Sequence, residues 1–313
     1  MAEFTFVDLF CGIGGFHQAA IKFGGECVFA CDIDESARAA YYANYGIMPE
    51  GDITKTNPVD IPHYDVLFAG FPCQPFSIMG NRLGFNDMRG TLFFNIITIL
   101  KENQPKLFIL ENVKQLVGHN NGKTLRSILG ALENLGYKTF HKVLNALDFG
   151  LPQKRERTII VGFDNLNADF CFPAPQGRGS LDGILEKDVD AKHFVSDHIS
   201  RKRMQAHKSA FSPGIWHENK SGHISSYPFS CALRAGASYN YLLVDGRRRL
   251  TPREMLRLQG FPDSFEIICT DSQTRKQAGN AVPVNMVSAV LKEALKELQR
   301  SSKTNGKLKQ ASL

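Results

Sequence analysis

The chain has 313 residues, 43% of them hydrophobic, and 37 Lys and Arg against 31 Asp and Glu give a formal charge of +6. That length and apolar content support one large domain with an appendage, or two domains. Seven cysteines, an odd number with no CxxC pair, indicate neither a disulfide framework nor a zinc site, so no metal is expected and a reducing, cytoplasmic setting is. No signal peptide or membrane span is visible.

The first half alternates strand-like and helix-like stretches. Residues 4–10, "FTFVDLF", form a short apolar run that ends at a glycine-rich turn, and 16–23 then have helical spacing. Residues 27–34 read as a second strand, 35–45 as a second helix and 64–70 as a third strand. An apolar helix over 91–102 leads to a strand over 106–113, and a helix over 124–136 leads to strands over 140–146 and 157–163. Near-continuous apolar strands separated by helices predict a parallel sheet covered on both faces.

The pattern changes after Phe163. Residues 164–247 are rich in Gly, Ser, Asn, His and Pro, with short strand-like runs and weak periodicity. From Lys192 to Arg253 there are eleven Lys and Arg against three Asp and Glu, so the basic character of the chain sits in this segment. Such a concentration suits a nucleic-acid contact face, although a solvated basic surface explains the charge equally well. Helices are expected over 251–261 and 285–298, followed by a polar, disordered tail.

Four motifs can carry chemistry. In "DLFCGIGGF" (8–16), Gly12 and Gly14 let backbone approach a ligand where the first strand meets its helix. His17 stands where a dinucleotide motif would have its third glycine, which weighs against an NAD-linked oxidoreductase. Asp32 ends the second strand, placed to accept from ribose hydroxyls, and Asp52 in "GDI" supplies another carboxylate. A nucleoside ligand without a pyrophosphate fits, and S-adenosylmethionine is the obvious one.

In "AGFPCQPFS" (69–77), Pro72 and Pro75 bracket Cys73 on the loop after the third strand. Two prolines restrict their neighbours and present the thiol rigidly, as a nucleophile requires. In "LENV" (110–113), Glu111 is a carboxylate at a strand end, able to hold or donate a proton. In "LPQKRERTIIV" (151–161), Arg155 and Arg157 alternate onto one side of an entering strand.

These motifs, together with "RRLTPREMLRLQGFPDSF" and "QAGNAVPVNMV", occur in an order and spacing that resembles the DNA cytosine-5 methyltransferases, over residues 4–298. The chain looks most like the single-chain bacterial restriction-modification type (HhaI-like). The resemblance implies an α/β fold: a Rossmann-like S-adenosylmethionine-dependent methyltransferase sheet with a second, smaller, irregular, mainly-β target recognition domain. The catalytic domain would be 1–163 plus 273–313, and the DNA-reading domain 164–272.

By the same resemblance Cys73 matches the nucleophile that attacks cytosine C6, Glu111 the carboxyl that engages N3 and the exocyclic amine, and Arg157 the arginine at the base carbonyl, with Arg155 beside it. The methyl group of S-adenosylmethionine then goes to C5 of a base flipped out of duplex DNA. Phe10, Gly12, Gly14, Asp32, Ile33, Asp52, Ile53, Pro72, Leu92 and Asn280 match the cofactor pocket. Residues 76–90, with Ser77, Arg82 and Arg89, would form a loop that closes over DNA. Arg201, Lys202 and Arg203 are expected on phosphates and Arg234 on a guanine edge. The expected partners are duplex DNA and, functionally, a restriction endonuclease, with the protein a monomer. An RNA cytosine-5 methyltransferase and a non-catalytic DNA-binding relative are the rival readings.

Overall fold

The structure is a computed structural model that describes residues 2–72 and 92–310, with backbone alone for 302–310. In the first half β1 (Phe4–Leu9), β2 (Gly25–Cys31), β3 (Val66–Gly70), β4 (Leu107–Val113), β5 (Lys138–Asn145), β6 (Gln153–Lys154) and β7 (Glu156–Phe163) alternate with α1 (Gly15–Ala20), α2 (Glu35–Tyr45), α3 (Leu92–Asn103) and α4 (Lys123–Asn134). Six strands form one sheet in the order β2-β1-β3-β4-β7-β5.

The first four strands are parallel, as the alternation predicts, but β7 runs antiparallel to both β4 and β5. The expected parallel sheet is therefore extended by two antiparallel pairings at β7. Residues 146–155 join β5 to β7 without a crossover helix, and a parallel return needs one.

Alternate residues of each strand feed two cores, because successive side chains point to opposite faces. Val7, Leu67 and Phe108 pack with Phe93, Ile96 and Ile128 of α3 and α4. Phe6, Phe68 and Ile109 pack on the other face with Phe16 and Ala19 of α1 and with Val287, Val290 and Leu291 of the last helix. Both faces being covered is why β3 and β4 read as unbroken apolar runs.

Residues 164–272 contain α5 (Asp197–Ala206), β8 (Ile215–Glu218), β9 (Ile224–Tyr227), β10 (Ser230–Cys231), β11 (Leu242–Val244) and α6 (Pro252–Gln259). A three-stranded antiparallel sheet has the order β11-β8-β9, and β10 pairs with β6. Thr251 and Glu254 form a capping box that starts α6. Two helices follow, α7 (Asp271–Asn280) and α8 (Val284–Gln310). The expected disordered tail is corrected in part: α8 continues through the polar run to Gln310. No helix among the described residues is long and apolar enough to cross a membrane.

Candidate active site

The carboxyl ends of β1, β2, β3 and β4 open onto a cleft of about 410 Å³, the edge at which open α/β sheets place their ligands. The turn after β1 is unusual. Phe10, Gly12 and Gly14 all have positive φ, at 56°, 54° and 81°. A side chain on Gly12 would meet nothing within 4 Å and would project into open space, whereas one on Gly14 would strike the Tyr45 ring at 2.3 Å. Phe10 and Gly12 line the cleft, and Gly14 packs against Tyr45 beneath the turn.

Asp32 ties this turn to the end of β2. One carboxylate oxygen accepts the Gly12 N–H and the other the Asp34 N–H, each at 2.8 Å. Burial raises its pKa, and the two backbone hydrogen bonds oppose that rise. Each oxygen keeps a lone pair for a ligand hydroxyl. Asp34 beside it caps α2 and pairs with Lys276 Nζ at 2.7 Å. Burial opposes its ionisation, but Lys276, Ser36 and the Ala37 N–H outweigh that and hold its pKa at about 2.

Ile33 stands 76% exposed at the lip of the cleft, and Pro72, Leu92 and Asn280 line its walls. Asp52 and Ile53 do not line it. Asp52 caps a turn through Thr54, and the Ile53 side chain is buried in the core. Three cleft residues carry little signal in the sequence: Lys276 and Gln277, on a helix with weak apolar periodicity, and Asn112. Asn112 follows Glu111 in the "LENV" run, and its Nδ2 donates to the Phe71 carbonyl at 3.0 Å, which fixes the backbone that leads to Pro72.

The other end of the cleft is charged. Glu111, 8% exposed, meets Arg157 Nε at 2.7 Å, and Arg157 also donates to its neighbour's carbonyl, Glu156 O. Arg155 behaves differently. Its Nη1 donates to Leu233 O at 2.8 Å, and its Nη2 to Gly279 O and Ala281 O at 2.9 Å each. Burial, with Arg157 nearby, lowers its pKa to about 9, so it stays charged at neutrality. The expected catalytic role for Arg155 is corrected: its guanidinium is committed to three carbonyls on two segments, residue 233 and residues 279–281, which makes it a strut. Cys73, Ser77, Arg82 and Arg89 lie outside the described residues.

A family model for C-5 cytosine-specific DNA methylases matches residues 4–296. This chain belongs to that family. The type II methyltransferase M.NgoBI of Neisseria gonorrhoeae is 56% identical to the methylase over 290 residues, 91% of each chain. M.HaeII of Haemophilus aegyptius is 53% identical over 97% of this chain and 96% of its own. M.HhaI of Haemophilus parahaemolyticus is 39% identical over 91% of this chain and 92% of its own. Among solved structures the S. pombe Dnmt2 methyltransferase superposes with a TM-score of 0.73 at 23% identity, over 95% of this chain and 99% of that one, a likeness of fold.

The methylase's basic segment is less free than its composition suggests. Arg201 and Lys202 are exposed on α5, with Asp197 3.8 Å from Arg201. Arg203 is only 3% exposed, paired with Glu218 and bonded to Asn240 O, so the expected phosphate contact at Arg203 is corrected to a structural ion pair. Arg248 likewise makes a bidentate pair with buried Glu254. Arg234 is exposed, its guanidinium 4.8 Å over the Tyr241 ring.

Proposed function

We propose that the enzyme methylates C5 of a cytosine flipped out of a short, specific duplex DNA sequence, through a covalent bond between Cys73 and C6, with S-adenosylmethionine as donor. In the cell this protects DNA against a cognate restriction endonuclease. One observation carries the reading: Glu111 and Arg157 meet at 2.7 Å in the wall of the same cleft that holds Gly12 and Asp32. A base held against that pair lies beside a nucleoside-sized recess.

The chemistry follows from the residues. Cytosine C5 is a poor nucleophile. Addition of the Cys73 thiolate to C6 removes the aromaticity of the ring, and a proton from Glu111 to N3 takes up the developing charge, leaving C5 enamine-like. Arg157 orients Glu111 and is placed to donate to the base carbonyl. After C5 is methylated, its proton passes to water, the electrons of that C–H bond expel the Cys73 thiolate from C6, and the N3 proton returns to Glu111, which restores the enzyme and leaves neutral 5-methylcytosine.

The cleft suits the donor's nucleoside. Open space at Gly12 admits it, the free lone pairs of Asp32 accept ribose hydroxyls, and Phe10, Ile33, Pro72 and Leu92 offer apolar contact. S-adenosylmethionine, when bound, supplies an electrophilic methyl group. The test is methyl transfer by the full chain to duplex DNA and to transfer RNA, followed by sequencing of the modified bases. Incorporation at cytosine C5 in one short DNA sequence supports the reading, and incorporation into transfer RNA alone overturns it.

A further inference from the structure

The segment 232–241 is gripped from the catalytic side by two buried side chains of the "QKR" run. Gln153 is fully buried, accepting the Leu233 N–H at 3.0 Å on Oε1 and donating through Nε2 to Leu258 O at 2.9 Å. Arg155 donates to Leu233 O at 2.8 Å and to Gly279 O and Ala281 O. Both backbone polar groups of Leu233 are therefore satisfied by side chains flanking one lysine, where most buried backbone groups find theirs in a ladder or helix.

Gly279 completes the contact. A side chain there would stand 2.4 Å from Ala235 N and 2.8 Å from Arg234 C, so residues 234–235 press directly on the last turn of α7. Gln277, Gly279 and Asn280 of that turn line the cleft. A second anchor lies further along: the guanidiniums of Arg249 and Arg275 each lie over the Tyr239 ring, at 4.9 and 4.5 Å, and Arg275 donates to Ser238 O. Arg234, Gly236 and Ser238 are exposed between the anchors, and of these Arg234 carries the long side chain, its N–H donating to Tyr241 Oη at 2.9 Å.

We infer that Gln153 and Arg155 are positioning residues that set the register of segment 232–241 against the cleft, so that discrimination between DNA sequences depends on two side chains that do not read bases. This rests on the proposed function and on the expectation that Arg234, within that segment, meets a guanine edge. The physical reason is geometric. A side chain reading a base edge tolerates little displacement, and a shift of about 1 Å far from the chemistry can cost about a hundredfold in rate. Lysine at position 155 keeps the charge but lacks the planar fork that spans three carbonyls. Methionine at 153 keeps the volume and loses both hydrogen bonds.

The experiment compares kcat/KM for two duplexes: one with the site that sequencing assigns to the unaltered enzyme, one differing at a single pair outside the target cytosine. The expected result is that Arg155→Lys and Gln153→Met each reduce the ratio of the two about tenfold. Tyr241→Phe, which removes one hydroxyl from the segment itself, is expected to reduce it about threefold and keeps the test open if the buried variants do not fold. A purely structural role would lower the thermal midpoint and both rates by a common factor; an unchanged ratio in the folded variants overturns the inference. An unaltered enzyme that methylates duplex DNA without sequence preference, or not at all, overturns the DNA-facing reading of the segment first, and the positioning role with it.

Discussion

Glu111 Oε1 and Arg157 Nε lie 2.7 Å apart on neighbouring antiparallel strands, joined on a diagonal. Glu111 is opposite Ile159 and Val113 opposite Arg157, so the two charged residues share a face two positions out of register. The pair holds the carboxyl in one orientation at the cleft. Glu111→Gln keeps the shape and removes the acid. Turnover on DNA is expected to fall about a hundredfold or more, with cofactor Kd changed less than about twofold. Steady-state rates and titration calorimetry check this, and turnover within a factor of two of the unaltered enzyme would reduce Glu111 to a strand-end residue.

The turn at Gly12 predicts a separation of folding from binding. Gly12→Ala meets no atom in the protein, but it must hold a φ of 54° and its methyl enters the cleft. Stability should fall by about 1–2 kcal/mol from the left-handed backbone alone. S-adenosylmethionine binding should weaken by about tenfold or more in both Gly12→Ala and Asp32→Ala. Calorimetry that finds either variant binding as tightly as the unaltered chain would place the nucleoside elsewhere.

Much of this site is legible in the sequence, and the departures have physical causes. The helix expected over 35–45 coincides with α2 because Asp34 caps its start and Gly46 ends it in a left-handed conformation. The strands at 64–70 and 106–113 stand out because sheet burial on two faces leaves unbroken apolar runs. α5 and α7 do not: their residues are mostly polar, and side-chain caps at Ser196 and Thr270, together with tertiary hydrogen bonds such as Gln277 to Ser36 O, help to hold them. Charge counting fails at Arg203 and Arg248 for a related reason, since composition does not reveal that Glu218 and Glu254 neutralise them. Strand alternation puts Arg155 beside Arg157, and only the tertiary structure brings three carbonyls to its guanidinium.

His17 makes the fold acid-sensitive. Its Nδ1 lies 2.6 Å from Tyr41 Oη and its ring stacks on Tyr45 at 3.9 Å. Burial lowers its pKa from 6.5 to about 4. Between those values the unfolded chain binds a proton that the folded chain does not, so this contribution is complete above pH 6.5 and is lost as pH falls towards 4. Buried Asp8 nearby, its carboxyl pushed up by desolvation, acts in the opposite sense, so the variant isolates the histidine. Urea midpoints between about pH 7 and about pH 5 should decline less steeply in His17→Gln than in the unaltered protein. Parallel curves would contradict this.

Neighbouring basic residues on α5 are expected to behave differently. Arg201→Ala and Lys202→Ala should each reduce the slope of log Kd for DNA against log salt by about 0.9 for each phosphate no longer neutralised, with stability unchanged. Arg203→Ala leaves Glu218 without its partner and should destabilise the protein by about 1–3 kcal/mol. Equal salt slopes in the unaltered protein and the double variant Arg201→Ala/Lys202→Ala would remove α5 from the DNA interface.

The central claim is a covalent bond from Cys73 to the target base. Duplex DNA carrying 5-fluorocytosine at the methylated position tests it most directly, because fluorine at C5 cannot leave as a proton does and the adduct cannot collapse. With S-adenosylmethionine present, the protein should form a denaturation-resistant complex with this DNA, peptide mapping should find the attachment at Cys73, and Cys73→Ser should form none. A stable adduct with Cys73→Ser, or attachment at Cys11, would contradict the mechanism.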